Sequence, residues 1–477
     1  MVTLMYQNVY NIMAIIIRRL LTIEKKTPGH LRNYRAYKRD GARQKLKRLF
    51  PVLFKENSCV FREIASDEMD EGDWNRVETF AANSEEPFLL IELLLGIDGA
   101  LRNRVRMEIE IFRTCNTISS LNSNFEETKI YLLPYMEALW ERKSRGRQHS
   151  YDINGYLGNF IFIDEQELRK FSINDIRHVW LSSLLFQTAK DRGYLRVGFS
   201  PLSRHLKLNV SEYYKDNIRY FSVDSSENSE KVKQLVLSVL EKAKKEKVDI
   251  LLFPEMIGST GLVDAVTERL ENYFGGEEEE YPSLIFLPSV WENHQNFVVV
   301  LTRDGERICT QKKQYPYDGP VEPGQETAIE DIDPDRTLYL IHCRGLGRIA
   351  VMICKDFLME EYLDLVLQIL KARLILVPSM STGEYDFKTH ANVCEHLDCC
   401  VIQCNCCSAE KMIEENQRDK LNTIGYVLKS GKNQNPRYVN IPSDGIIQIT
   451  KPKLCREGGC EEACLFYEDF FFDKNVG

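Results

Sequence analysis

The chain has 477 residues, more than one hydrophobic core usually organises, so two domains are expected. Its 43% hydrophobic and 28% charged residues read as a folded soluble protein, and no uninterrupted apolar run nears the roughly 20 residues of a membrane span. Net charge is −9 but unevenly placed: residues 1–57 hold thirteen Lys/Arg against Glu24, Asp40 and Glu56, a balance of +10 that leaves −19 on the remainder. Near the start, the apolar Ile12-Met13-Ala14-Ile15-Ile16-Ile17 is short, and Arg18-Arg19 follows it, the reverse of an export signal. A helix and a cytoplasmic location are the reading.

Residues 1–195 predict a mainly helical domain of unassigned role. A helical pair is expected over 87–112, broken near the glycines of Gly96-Ile97-Asp98-Gly99. Further helices are expected over 126–142 and, after Ser172 as a cap, over 173–190. Residues 67–73 form an acidic interruption. Residues 196–216, with Pro201 and an irregular polar mixture, read as a linker.

From 217 to 477 strands alternate with helices. Residues 218–223 predict a strand, and from 229 Val232, Leu235, Val236, Val239, Leu240 and Ala243 follow the spacing of a buried helical face. Residues 248–253 form a continuous apolar strand, and 283–290 another. Arg303-Asp304-Gly305 turns a hairpin between 297–302 and 306–311; a second joins 338–343 to 348–353. Helices at 359–371 and 387–396 alternate with strands at 374–377 and 401–404, and strands at 445–450 and 463–471 close the chain. Hairpins among βα units predict an α/β fold with mixed sheets.

Nine of the fourteen cysteines crowd into two stretches, Cys394 to Cys407 and Cys455 to Cys464. Without an export signal they make a poor disulfide framework, and C-x4-C-x3-C is not a zinc-ligand spacing. The first cluster runs through a strand-like stretch whose alternating side chains do not gather four ligands. Buried, reduced thiols are expected, with no metal.

Three residues carry candidate chemistry. Cys354 ends the apolar run Gly347-Arg348-Ile349-Ala350-Val351-Met352-Ile353, Glu255 follows Val248-Asp249-Ile250-Leu251-Leu252-Phe253-Pro254, and Lys312 lies just past a hairpin. A thiol must ionise to attack, and a carboxylate can take its proton. An ammonium and the N–H of Lys355 can stabilise charge that develops on a substrate oxygen or nitrogen. Singly, these are a solvated strand end, a surface lysine and a core cysteine; together they define a nucleophile, a base and an electrostatic partner.

In that order and with those flanks, residues 217–472 resemble the nitrilase superfamily of carbon–nitrogen hydrolases. Phe253-Pro254-Glu255 is followed by Ser259-Thr260-Gly261, similar to the family's Pro-Glu and Thr-Gly; Lys312-Lys313-Gln314-Tyr315-Pro316 is similar to Lys-x-x-Leu-Pro. Glu322-Pro323-Gly324, Cys354-Lys355-Asp356, Glu361, the run from Ala391 to Asn405 and Pro442-Ser443-Asp444-Gly445 match further signposts. The register favours Lys312, and a slip of one residue would substitute Lys313. The resemblance implies an α-β-β-α sandwich, a Glu255–Lys312–Cys354 triad, no metal or organic cofactor, and a homo-oligomer. It implies hydrolysis of a small non-peptide C–N bond, an amide ahead of a nitrile, through a thioester. Departures are Leu358 for an arginine, Lys355 for an aromatic residue, a short interval from Glu255 to Lys312, and no second glutamate assignable before Pro323-Gly324, where Asp318 is the nearest acid at the family's spacing and Glu322 is too close.

A rival reading makes this fold an assembly or regulatory module whose helical domain binds nucleic acid or a protein partner. The resemblance admits it, since such domains occur fused to other modules, including reverse transcriptases of phage defence; no polymerase Asp-Asp motif is present here. The basic segment with Tyr6, Tyr10, Tyr34 and Tyr37 is its footing. The intact Glu-Lys-Cys set argues against pure scaffolding, and neither tight nucleic-acid binding nor membrane association is expected.

Overall fold

The computed structural model describes residues 7–34, 39–64, 70–104, 120–140, 153–171, 173, 175–206, 208–224, 229–273, 280–321, 323–383, 385–412, 423–429, 446–451 and 464–472. The chain divides into two compact units, residues 1–136 with 144–171, and residues 137–143 with 172–477.

In the first unit, helix Gln7–Lys26 buries Val9, Ile12, Met13, Ile16, Ile17 and Leu20, one face at three-four spacing. It packs against helices Glu71–Asn83 and Pro87–Ala100. The Asp70 carboxylate caps the former by accepting from the Asp73 N–H. Pro87–Ala100 runs unbroken through Gly96, against the expected interruption. Gly96 serves packing instead: a Cβ there would lie 2.2 Å from the Phe61 ring. The expected continuation to 112 and the acids at 67–69 lie outside the described residues, as do Tyr6 and Tyr37.

The helix expected over 126–142 is instead one turn, Phe125–Thr128, then strand β1 (Ile130–Pro134) paired antiparallel with β2 (Phe160–Asp164). Apolar and aromatic residues on both strands meet across some 30 positions of sequence, a partnership that local periodicity does not reveal. Arg18, Arg19, Arg43 and Lys45 of the basic segment are met by acids of their own unit. Arg18 pairs with Asp164 at 2.7 Å, Arg43 with the buried Glu92 at 2.8 Å, and Lys45 with Glu86 at 2.6 Å.

In the second unit, β3 (Asp175–Leu181) replaces the helix expected over 173–190, of which Gln187–Arg192 remains helical. Residues 196–216 are no linker. They hold most of β4 (Tyr194–Phe199), an interior strand, and β5 (Asn209–Lys215), which pairs with β6 (Ile218–Asp224). Leu195, Val197 and Phe199 are fully buried, so β4 belongs to the core the sequence reading began at 217. Polar residues at 203–207 mask that strand from a composition scan.

The remaining strands are β7 (Ile250–Leu252), β8 (Leu284–Phe286), β9 (Val290–Glu292), β10 (Gln295–Thr302), β11 (Arg307–Lys312), β12 (Asp318–Gly319), β13 (Ala328–Glu330), β14 (Thr337–Cys343), β15 (Gly347–Val351), β16 (Leu374–Ser379), β17 (Cys400–Asn405), β18 (Thr423–Leu428), β19 (Ile446–Thr450) and β20 (Phe466–Phe471). One sheet runs β11-β10-β8-β7-β4-β20 with β9 beside β10; another runs β19-β18-β17-β16-β15-β14-β3. The two meet face to face, with the Phe199 ring against Gly425, where an added Cβ would lie 3.3 Å from it. Helices Ser229–Lys245 and Thr260–Glu271 cover the first sheet by burying Val232, Val236, Val239, Leu262 and Val266 against Leu251, Ile285 and Val299. Helix Tyr385–His396 lies against β17 and β18. The unit is therefore the expected α-β-β-α sandwich.

Two additions matter for the site. A four-stranded sheet, β12-β13-β6-β5, carries Phe221 and Glu330. Between the large sheets, the buried Gln311 amide accepts from Tyr339 N–H at 2.9 Å and donates to the Thr337 carbonyl at 3.1 Å, while Gln314 donates to the same carbonyl at 3.2 Å.

Cys394, Cys399, Cys404 and Cys406 are buried thiols; Cys455 and Cys460 lie outside the described residues, as does Pro442 to Gly445. Among the described residues no group of three or more His, Cys, Asp and Glu could hold a metal ion, and no helix is long and apolar enough to cross a membrane.

Candidate active site

Glu255 stands past the end of β7, where Pro254 stops the strand and Met256 takes a left-handed φ of 67°. The close approach of Gly258 to Pro288 secures this turn: a Cβ there would lie 2.3 Å from the Pro288 carbonyl oxygen. Glu255 is fully buried. Its Oε2 accepts from the Met380 N–H at 3.0 Å, and its Oε1 accepts from Lys313 at 2.8 Å and Asn296 Nδ2 at 2.9 Å.

The lysine that reaches Glu255 is Lys313, not Lys312. Lys312, last residue of β11, turns the other way and pairs with Asp335 at 3.0 Å, its side chain 27% exposed. Neighbours on extended backbone point to opposite sides, so a slip of one residue exchanges inside for outside. Lys313 Nζ has no exposed surface and sits between Glu255 and Glu330, the latter at 2.5 Å.

Glu330 brings a second carboxylate to Lys313; one was sought before Pro323-Gly324, and this one comes after them, from β13. Its backbone N–H donates to the Tyr317 carbonyl at 2.8 Å, and its Oε2 accepts from the Tyr317 N–H at 3.0 Å. Asn296 gives one N–H to each carboxylate, 2.9 Å in both cases. Glu330 shares the inward face of β13 with the buried Ala328, two residues before it, which was its one signal; Asp331, Asp333 and Asp335 beside it hide that signal in an acidic run.

Cys354 follows β15 and precedes the short helix Lys355–Leu358, with φ 50° and ψ −102°. A non-glycine residue in this region is strained, and the turn is held by the Cys354 N–H donating to Pro378 O at 2.9 Å. Its thiol lines one cavity with Glu255 and Lys313 and lies close enough to feel the charge of both. Asp356 ties this turn to the lysine: Oδ1 accepts from Gln314 N at 2.9 Å and Tyr315 N at 2.8 Å, and Oδ2 from Ile353 N at 3.2 Å. Lys355 points to Asp318, 2.8 Å away.

Burial raises the Glu255 carboxyl above its ordinary 4.5, and Glu330 adds to the rise while Lys313 opposes it. Burial and the Glu255 charge push the Cys354 thiol well above 9, so the resting thiol keeps its proton. Burial opposes the charge on Lys313, and the two carboxylates overcome it, leaving an ammonium. Burial holds Asp356 up to about 7 and Tyr317 to about 12.

The cluster opens on a small cavity with space for about one water molecule, lined by Leu208, Phe221, Glu255, Met256, Lys313, Tyr317, Val321, Cys354, Met380 and Met412. The arrangement can accept a proton from sulfur, place an ammonium beside a developing anion, and keep bulk water out.

The chain is similar to Saccharomyces cerevisiae Nit3, described as a member of branch 10 of the nitrilase superfamily, at 14% identity and a TM-score of 0.37 over 58% of this chain and 90% of that one. It is similar to the C. elegans NitFhit protein at 15% identity and a TM-score of 0.37, covering 58% of this chain and 61% of that one. It is similar also to an amidase from Nesterenkonia sp. at 14% identity and a TM-score of 0.36, over 59% and 92%. No family model and no curated protein sequence matches the chain. At such identity and score the chemistry rests on the side chains themselves.

Proposed function

We propose that this chain is a cysteine-dependent hydrolase of a small non-peptide C–N bond, an amide ahead of a nitrile, of the nitrilase-superfamily kind its motifs resemble. The observation that carries the reading is the buried convergence of Cys354, Glu255 and Lys313, with Glu330 behind the lysine. A protein that merely packs does not bury two carboxylates, an ammonium and a thiol in one cluster, because each desolvated charge costs several kcal/mol, about what a buried pair must recover through geometry.

In the proposed cycle Glu255 takes the thiol proton as Sγ adds to the substrate carbonyl carbon. Lys313 and the Lys355 N–H stabilise the developing oxyanion. Glu255 passes its proton to the departing nitrogen, the C–N bond breaks, and a thioester remains on Cys354. Glu255 then deprotonates a water that attacks the thioester; the acid leaves and the proton returns to Sγ. Mass spectrometry after incubation with primary amides tests this. An acyl adduct at Cys354 that accumulates and then decays is expected, and unchanged hydrolysis by Cys354→Ala would refute the assignment.

A further inference from the structure

The lining of the cavity restricts what can lie next to the nucleophile. Beyond the reacting cluster and Tyr317 it consists of Leu208, Phe221, Met256, Val321, Met380 and Met412. These come from separate places: Leu208 and Phe221 from around the β5–β6 hairpin, Met256 from the Glu255 turn, and Met412 from the end of the 3-10 helix Cys407–Met412. Lys313 is the one cation among the described lining residues, and two carboxylates already hold it. The buried set of Glu255, Glu330 and Lys313 carries a net charge of −1, and Lys355, the next lysine along, is engaged with Asp318. An anionic tail entering here would lose its water, meet among the described lining residues only a lysine that two carboxylates already hold, and face that negative charge. A cationic tail would lose its water among thioether and aliphatic groups, where the carboxylates already accept from Lys313 and Asn296. Methionine side chains yield by rotating, so a few methylenes can be admitted where a branched or long chain cannot.

We propose that the acyl part of the substrate is a short, uncharged aliphatic chain seated against these six apolar side chains. This rests on the hydrolase reading for its substrate but is testable without turnover. In the full-length protein, Cys354 is labelled with iodoacetamide or iodoacetate and followed by peptide mass spectrometry, each rate divided by that with glutathione. The neutral reagent should be faster by at least about tenfold, because only the anion must be desolvated beside like charge. Excess butyramide should slow labelling by iodoacetamide, whereas succinamate and 4-aminobutyramide should not. Hexanamide should protect the Met412→Ala variant better than the wild type.

Equal labelling by both reagents, protection by either charged amide, or no labelling of Cys354 by either reagent would overturn the proposal. If the labelling and protection patterns hold but butyramide is never hydrolysed, the pocket assignment stands and the hydrolase reading fails. If succinamate is hydrolysed in preference to butyramide, the hydrolase reading stands and this proposal fails.

Discussion

Asp356 Oδ1 accepts the backbone N–H of Gln314 at 2.9 Å, which couples the turn bearing Cys354 to the turn bearing Lys313. Thiol and ammonium are thereby held by one carboxyl that belongs to neither strand end. Its burial makes the link depend on pH. Asp356 is held at about 7 when folded against 3.8 when free, so the folded state binds its proton more tightly. The stability it contributes is present below the free value and is lost as pH rises through about 7. Asp356→Asn should flatten the pH dependence of urea unfolding between those two values; parallel curves for variant and wild type would count against a titrating Asp356.

The adjacent lysines should separate sharply. Lys313→Met leaves two buried carboxylates without their cation, a change that costs about 3–5 kcal/mol when a buried pair is broken. It should also lower kcat by about 100- to 1,000-fold, as for loss of one oxyanion partner. Lys312→Met breaks a partly exposed pair worth about 0–1 kcal/mol and should leave kinetics near wild type. Chemical denaturation and steady-state kinetics on both variants decide it, and the reverse ranking would return the assignment to Lys312.

Glu330→Gln keeps the shape but removes a charge that raises the Glu255 carboxyl. With that contribution gone Glu255 ionises at lower pH, so the acid limb of kcat/KM should move downward. Turnover should fall by about 10- to 100-fold, the cost usual for a partner that orients a reacting group. A drop in rate with no movement of the limb would assign Glu330 a purely structural part.

Gly258→Ala places a methyl carbon 2.3 Å from the Pro288 carbonyl oxygen, a backbone atom that cannot swing aside. The strain should cost about 1–3 kcal/mol, the usual range for overpacking. Because the turn carries Glu255, activity should decline beyond what the unfolded fraction explains. Thermal melts alongside kinetics below the transition measure both.

For the basic segment, changing Arg43, Lys45, Lys47 and Arg48 to Gln should destabilise the protein rather than abolish a nucleic-acid complex. Arg43 should contribute most, since its partner Glu92 has no exposed surface. A gel shift at low salt that the quadruple variant loses would show that phosphates compete for these residues.

Much of the second unit was legible because its signals are local. The 248–253 run is apolar on both faces, Asp304-Gly305 fixes a hairpin, and the helix from 229 repeats at helical spacing. What escaped depends on distant partners. β3 reads as a helix until β14, more than 150 residues later, pairs with it, and β4 reads as linker because polar residues follow it. The reacting groups divide likewise: Glu255 and Cys354 end conspicuous strands, whereas Lys313 differs from Lys312 only in which way it faces. Glu330 sits in a three-residue strand within an acidic run, and its partner Asn296 is one amide among many.

The Gln311 amide spans from β11 to β14, and so from one large sheet to the other. Glu255 and Lys313 ride on the first sheet, Cys354 on the second, so a slide of one layer past the other by an ångström would pull base from nucleophile. With Gln314 beside it, the clasp pins the layers two residues from the ammonium. Layer sliding and loss of the site then become one event, and heat inactivation should coincide with the cooperative melt of this unit instead of preceding it.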